Sequence, residues 1–68
     1  MTTGEKLAAL RKQKGITQEQ LAELLQVSRQ SVSRWEMDAA FPETEKLIRL
    51  ARLLECSIDF LLDENQED

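Results

Sequence analysis

The chain has 68 residues, one cysteine and no histidine, and its 13 acidic and 9 basic side chains give a net charge of −4. These residues suffice for one small core and no second domain, and a single cysteine excludes a disulfide framework and a cysteine zinc site. Because the absence of histidine also excludes Ser-His-Asp and Cys-His catalysis, we predict a protein that is not an enzyme and needs no metal or cofactor.

Capping patterns mark the first two helices. Thr2 and Glu5 have the spacing of a capping box, and the helix that they begin should end at Gly15. A second helix should begin at Thr17, where Gln20 repeats the same spacing. The side of this helix that faces the core is predicted to carry Leu21, Ala22, Leu24 and Leu25.

A very short turn separates the second helix from a third. Ser28 is the predicted N-cap, and Val27 can pack back onto Val32 as a hydrophobic staple. The third helix then runs from about Arg29 to Glu36. The sequence thus predicts two successive helices joined by a very short turn.

The fourth and fifth helices complete the chain. A fourth helix follows Pro42, and its apolar residues recur at the spacing of a core-facing stripe: Leu47, Leu50, Ala51 and Leu54. Ser57 can cap a brief fifth helix, with Ile58 and Leu61 facing inward. No strand-like alternation competes with this pattern, so the predicted fold class is all-α, a compact bundle of five helices.

Polarity rises sharply at the end of the chain. We predict that residues 1–62 form the domain and that residues 63–68 are an acidic tail or the start of a linker. Charge is also uneven, since residues 1–36 hold six basic and four acidic side chains, a net +2, whereas residues 37–68 sum to −6. A basic N-terminal half permits binding to a polyanion, because affinity depends on the potential at the contact surface.

The third predicted helix has two contrasting sides. At about 100° per residue, Val32 and Trp35 point to one side, where a core position for Trp35 is expected rather than stacking on a base. The opposite side is polar or basic throughout: Arg29, Gln30, Ser33 and Arg34. Arginine can bind guanine O6 and N7, and glutamine can pair with adenine N6 and N7, so this side is a candidate for reading base edges.

The run from Leu21 to Glu36 resembles the helix-turn-helix of the Cro/repressor-type family, which is also called XRE-like or lambda-repressor-like. The residues that carry the resemblance are Gln18, Leu21, Ala22, Leu25, Val27, Val32 and Trp35. The likeness extends from about Leu7 to Leu62 and implies a lambda-repressor-like bundle whose second and third helices form the helix-turn-helix. It implies a sequence-specific, repressor-like transcriptional regulator that inserts the third helix into the major groove of double-stranded operator DNA.

The resemblance also implies roles for single residues. Thr17 and Gln18 would bind a backbone phosphate, with Gln18 bracing Gln30. Arg11 and Glu36 match an ion pair that holds the third helix to the first. The implied DNA-binding set is Thr17, Gln18, Ser28, Arg29, Gln30, Ser31, Ser33 and Arg34.

The chain departs from the family pattern in two turns. Gln26 and Asp38 stand where glycine is usual, so a left-handed conformation at either carries a modest steric cost. Ala39 and Ala40 replace residues that commonly contact phosphate, which leaves only backbone N–H groups for such contacts there.

Several apolar residues are not accommodated by the predicted stripes: Phe41, Ile48, Leu53, Phe60 and Leu62. The resemblance implies dimerisation through the fifth helix, so we expect a homodimer that uses Phe60 and Leu62 on a palindromic operator. An alternative is a protein-interaction adaptor or antitoxin-like module that binds its partner through the fifth helix and the acidic half. The acidic tail would also suit a junction to a further domain or protein partner.

The remaining predictions concern location and surface. No apolar stretch approaches the roughly 20 residues that span a bilayer and no signal peptide is visible, so we expect a cytoplasmic protein without membrane contact. Cys56 is then expected to be a buried, reduced thiol. Arg49 and Arg52 lie among acidic residues and are assigned to a solvated surface rather than to the DNA site.

Overall fold

The computed structural model describes residues 1–63, which form the predicted five helices. They are α1 (Thr3–Gln13), α2 (Gln18–Leu25), α3 (Arg29–Glu36), α4 (Thr44–Leu54) and α5 (Ile58–Leu62). Within residues 1–63 there is no strand, no helix that could cross a bilayer and no cluster of metal-binding side chains. The all-α prediction is confirmed. Of the predicted tail, residues 64–68 lie outside the described residues.

Local capping explains where four of the helices begin. Each predicted N-cap side chain accepts a hydrogen bond from the backbone N–H three residues further on: Thr2, Thr17, Ser28 and Ser57. Glu5 and Gln20 return a side-chain bond to the N-cap N–H, which completes both predicted capping boxes. These starts depend on contacts within four residues, which is why the sequence predicts them well.

Residues with positive φ end helices or turn the chain: Gly15, Gln26, Asp38 and Glu55. After α1, the Gly15 N–H bonds to the Lys12 carbonyl at 2.9 Å, and the Ile16 N–H bonds to the Arg11 carbonyl at 3.3 Å. This pair of bonds forms a Schellman motif at the predicted end of the helix. Gln26 and Asp38 both have φ of 60°, so the left-handed conformation persists where the family commonly has glycine.

One side of every helix packs into the core. Its buried apolar residues are Leu7, Leu21, Ala22, Leu25, Val32, Trp35, Leu47, Leu50, Ala51, Leu54 and Leu61. The core position of Trp35 is confirmed, but the inward position predicted for Leu24 is wrong, because its side chain is 49% exposed. At 100° per residue Leu24 lies on the flank of the side centred on Leu21 and Leu25. The Cys56 thiol is half-buried rather than buried.

Polar side chains of α1 hold the last turn of α5. The Thr3 hydroxyl donates to the Leu61 carbonyl at 2.7 Å, and the Lys6 ammonium donates to the carbonyls of Phe60, at 2.6 Å, and Asp63. These carbonyls belong to the end of α5, where a cation also complements the helix dipole. Lys6 is only 2% exposed, so its ammonium is not available for direct contact with an external partner, despite its place in the basic half of the sequence.

Two basic residues of α4 perform the same task for α2. Lys46 Nζ donates to the Leu25 carbonyl at 2.9 Å, and Arg49 Nη2 donates to the Leu24 carbonyl at 2.8 Å. The assignment of Arg49 to a merely solvated surface is therefore wrong. Its guanidinium closes the C-terminal end of α2, where unpaired carbonyls attract donors.

Candidate nucleic-acid interface

The outer side of α3 is open. Arg29, Gln30 and Arg34 are exposed, while Val32 and Trp35 on the opposite side are buried at 0% and 7% exposure. Within the described chain the side chains of Gln30 and Arg34 form no hydrogen bond or ion pair, so their donors and acceptors are available to an external partner. The two-sided helix predicted from the sequence is confirmed.

A concave surface lies beside the start of α2. Lys12, Thr17, Gln18 and Arg29 contribute to its lining, which brings cationic groups from α1 and α3 to the N-terminus of α2. The Thr17 hydroxyl accepts from the Gln20 N–H at 3.0 Å and so caps the helix. Arg11 and the Glu19 carboxylate also line this surface, so three cationic side chains and one anionic side chain surround the positive end of the helix. This balance favours an anion such as phosphate.

The predicted ion pair between α1 and α3 is present and largely buried. Arg11 Nε lies 2.6 Å from Glu36 Oε2, and Arg11 Nη2 lies 3.1 Å from Glu36 Oε1, with side-chain exposures of 10% and 7%. Arg11 Nη1 also donates to the Ile16 carbonyl at 2.8 Å. The guanidinium thus ties the end of α3 to α1 and to the turn before α2.

Gln18 connects this pair to the beginning of α3. Its Nε2 donates to Glu36 Oε1 at 2.9 Å, and its Oε1 accepts from Arg29 Nη1 at 3.3 Å. The prediction that Gln18 braces Gln30 is therefore wrong, since the braced residue is Arg29. Arg29 has a side chain long enough to reach back to α2, whereas Gln30 lies one residue further along the exposed side.

Two of the predicted contact residues serve the start of α3. The Ser28 hydroxyl accepts from the Ser31 N–H at 3.1 Å and lies 3.1 Å from the Ser31 hydroxyl. Both hydroxyls are thus engaged locally, and a DNA contact by either remains a prediction.

Met37 extends the outer side of α3 and was missed by sequence reasoning. It is the C-cap residue, is 72% exposed, and its sulfur accepts from the Ser33 hydroxyl at 3.7 Å. Seven residues beyond Gln30, it lies within about 20° of it around the helix axis. The same periodicity, continued by one residue, would have identified it.

The loop after α3 is fixed from both sides. The Ala39 and Ala40 N–H groups both donate to the Arg34 carbonyl, at 2.8 and 3.3 Å, so the N–H groups expected to remain for phosphate contacts are already used. The Asp38 carboxylate accepts from the Gly4 N–H at 2.9 Å and from the Thr2 hydroxyl at 2.5 Å. Asp38 therefore caps α1 and fixes where the loop leaves α3.

The two residues predicted for a dimer contact differ in their surroundings. Leu62 is 45% exposed. Phe60 is half-buried against the core, and the Lys6 ammonium lies 4.6 Å from its ring centroid. Leu62 is thus the more available of the two for contact with another molecule.

Comparison with known proteins shows where this arrangement recurs. Residues 7–61 match a family model described as helix-turn-helix. The chain is 45% identical over 62 residues to the HTH-type transcriptional activator BcrR of Enterococcus faecalis, with 91% of this chain and 30% of that protein covered. It is 39% identical over 59 residues to the repressor protein C2 of Salmonella phage P22, with coverage of 87% and 27%.

Solved structures agree with the sequence comparison. A crystal structure of the P22 c2 repressor in complex with a synthetic operator matches with a TM-score of 0.89 at 35% identity, covering 96% of this chain and 98% of that one. A transcriptional regulator from Listeria innocua matches with a TM-score of 0.85 at 39% identity, covering 98% and 63%. The chain spans less than a third of the length of BcrR and of the C2 repressor.

Proposed function

The chain belongs to the helix-turn-helix family of the Cro/repressor type, and on this basis we propose that it is a sequence-specific, repressor-like transcriptional regulator. It acts in the cytoplasm by occupying operator DNA rather than by catalysis. The observation that carries the proposal is the open polar side of α3, in which Arg29, Gln30 and Arg34 are exposed above a buried Val32 and Trp35. A side of this composition fits the donor and acceptor pattern of the major groove.

Roles follow from the position of each group. Gln30 and Arg34 read base edges, because their polar atoms have no partner within residues 1–63. Thr17 and Gln18 position the domain on a backbone phosphate at the start of α2. The exposed Met37 adds an apolar group to the same side, suited to contact with a thymine methyl group.

The operator is read by a homodimer in this proposal. Leu62 is exposed at the end of α5, and a two-fold dimer would present two copies of α3 about 34 Å apart. A palindromic operator would match that symmetry. The P22 c2 repressor, seen in complex with a synthetic operator, is the structural relative that supports a repressor-like role.

A selection from randomised DNA duplexes at two salt concentrations tests the function. We expect a motif of two symmetric half-sites, together with an affinity that falls as salt rises because phosphate contacts release counterions. A chain that selects no motif but recovers one protein partner in a pull-down would instead be the adaptor or antitoxin-like module.

Substitution of Arg34 by alanine tests base reading directly. We expect Arg34→Ala to weaken operator binding by about 1 to 3 kcal/mol and to relax the preference at one base position. The control is Lys12→Ala, which removes a cation beside the start of α2 and should weaken binding about equally for all sequences while reducing the salt slope by about 1. If Arg34→Ala, like the control, weakens binding to operator DNA and to random DNA equally, then Arg34 reads no base.

A further inference from the structure

A continuous path of polar contacts joins the scaffold to the first residue of α3. Arg11 and Glu36 form its buried part, Gln18 is half-buried in the middle, and Arg29 is exposed at its end. The successive distances are 2.6 Å from Arg11 Nε to Glu36 Oε2, 2.9 Å from Gln18 Nε2 to Glu36 Oε1, and 3.3 Å from Arg29 Nη1 to Gln18 Oε1.

The chemistry of these groups permits only one orientation of the Gln18 amide. An ionised carboxylate only accepts hydrogen bonds and a guanidinium only donates them, whereas an amide has one end of each kind. With Nε2 toward Glu36, the amide oxygen faces Arg29 and every contact joins a donor to an acceptor. The flipped amide would set two acceptors together at Glu36 and two donors together at Arg29.

We propose that Glu36 is a positioning residue for base recognition, which orients the Gln18 amide and thereby holds the Arg29 guanidinium for contact with DNA. The inference rests on the proposed function and adds a role for a residue whose own side chain is only 7% exposed. Arg29 would otherwise sample many rotamers at the exposed start of α3. One hydrogen bond to Nη1 restricts the side chain and leaves the other N–H groups of the guanidinium for the DNA, so less conformational freedom is lost on binding.

Glu36→Gln is the informative substitution because it keeps the size of the side chain. Arg11 is charged and largely buried, and its shorter contact is from Nε to Oε2 at 2.6 Å, so the single remaining oxygen should stay at that place. The NH2 group then replaces Oε1, which loses the 3.1 Å contact from Arg11 Nη2 and leaves an NH2 group facing Gln18. Gln18 must then turn its own oxygen toward residue 36 and its NH2 group toward Arg29, which loses its acceptor. Gln18→Met removes the same acceptor while leaving the Arg11–Glu36 pair in place, so it remains informative if Glu36→Gln fails to fold.

The experiment measures base preference with the full chain on the randomised duplex pool. Arg29→Ala first identifies the base position that depends on Arg29. We expect Glu36→Gln and Gln18→Met each to reduce the preference at that position by about fivefold, a fraction of what a bidentate arginine contact provides. In the Arg29→Ala background neither substitution should alter the preference further, because the three residues act in series.

Ile58→Ala, in the partly buried part of α5, is the control for a loss of stability alone. It should lower stability without changing the preference at the Arg29 position. The proposal is overturned if Arg29→Ala alters no base position, or if both Glu36→Gln and Gln18→Met keep the wild-type preference there. A wild-type chain that selects no motif would instead refute the proposed function, so the two failures are distinguishable.

Discussion

At the scale of the residue, the environment of Cys56 has a direct chemical consequence. Desolvation by burial raises the pKa of its thiol above the ordinary value, so the thiolate is scarce near neutral pH in the folded chain. A raised pKa in the folded state leaves stability unaffected below the pKa of the unfolded thiol, and stability falls as the pH rises through the folded value. We expect iodoacetamide to modify Cys56 more slowly at pH 8 in the native chain than in the chain unfolded in urea. Mass spectrometry of timed samples measures both rates, and equal rates would contradict the shift.

Single residues also show where sequence reasoning ends. The caps at Thr2 and Thr17 were predictable because their partners lie three residues away. Lys6 belongs to the basic half of the sequence, but its partner carbonyls lie 54 and 57 residues further along the chain, so only the fold brings them together. The family resemblance pairs Gln18 with Gln30, whereas the amide bonds to Arg29, because sequence position identifies neighbouring residues and does not decide which side chain reaches the amide.

At the scale of the element, two left-handed residues end their helices with the same φ of 60° and should respond oppositely to glycine. Gln26→Gly relieves the strain of a side chain in this conformation. We expect the free energy of unfolding to rise by about 0.5 to 1 kcal/mol after the entropy of glycine is subtracted. Asp38→Gly relieves the same strain but removes the carboxylate that caps α1, so we expect a net loss of about 0.5 to 1 kcal/mol. Urea unfolding measures both, and a gain for Asp38→Gly would show that its cap contributes little.

The contact between α1 and α3 depends on the absence of a side chain at Gly4. A Cβ at this position would lie 2.5 Å from the carbonyl oxygens of Trp35 and Glu36, which are backbone atoms that cannot turn aside. Helix propensity alone predicts that Gly4→Ala stabilises α1, whereas the contact predicts a loss of about 1 to 3 kcal/mol. Ala9→Gly, on the exposed side of α1, is the control and should lose about 1 kcal/mol by propensity alone. A rise in the unfolding midpoint for Gly4→Ala would show that the helices separate at little cost.

At the scale of the whole molecule, the fold was predictable because four helices carry their own N-cap, α4 follows Pro42, and every helix has its own apolar side. The stripe of α4 and the core position of Trp35 follow from periodicity. Contacts between helices were not predictable in this way, since the closure of α2 by Arg49 and of α1 by Asp38 requires knowing which helix ends meet. The candidate interface was predictable in part. Periodicity identifies its exposed residues, but the hydrogen bonds between them depend on the tertiary arrangement.

The proposed dimer can be tested at the exposed end of α5. Leu62→Glu places a charge on an exposed leucine at the end of α5, and we expect a monomer at concentrations where the unaltered chain is a dimer. Phe60 is a poorer probe, because its ring lies under the Lys6 ammonium and its loss would also disturb the fold. Light scattering measures the mass. Binding to the full palindrome should fall by at least about tenfold while binding to a single half-site is unchanged, because only the link between the two protomers is lost.

Leu24→Glu is the matched control for this prediction, since Leu24 is 49% exposed and Leu62 is 45% exposed. Both substitutions replace a leucine of similar exposure by a glutamate, so they change the net charge of the chain by the same amount. Loss of the dimer with Leu62→Glu alone would place the two-fold axis at α5. Loss of the dimer with Leu24→Glu alone would instead place the contact at the end of α2. A different two-fold axis sets a different distance between the two copies of α3, so the half-sites of the selected motif would then be separated by a distance other than about 34 Å.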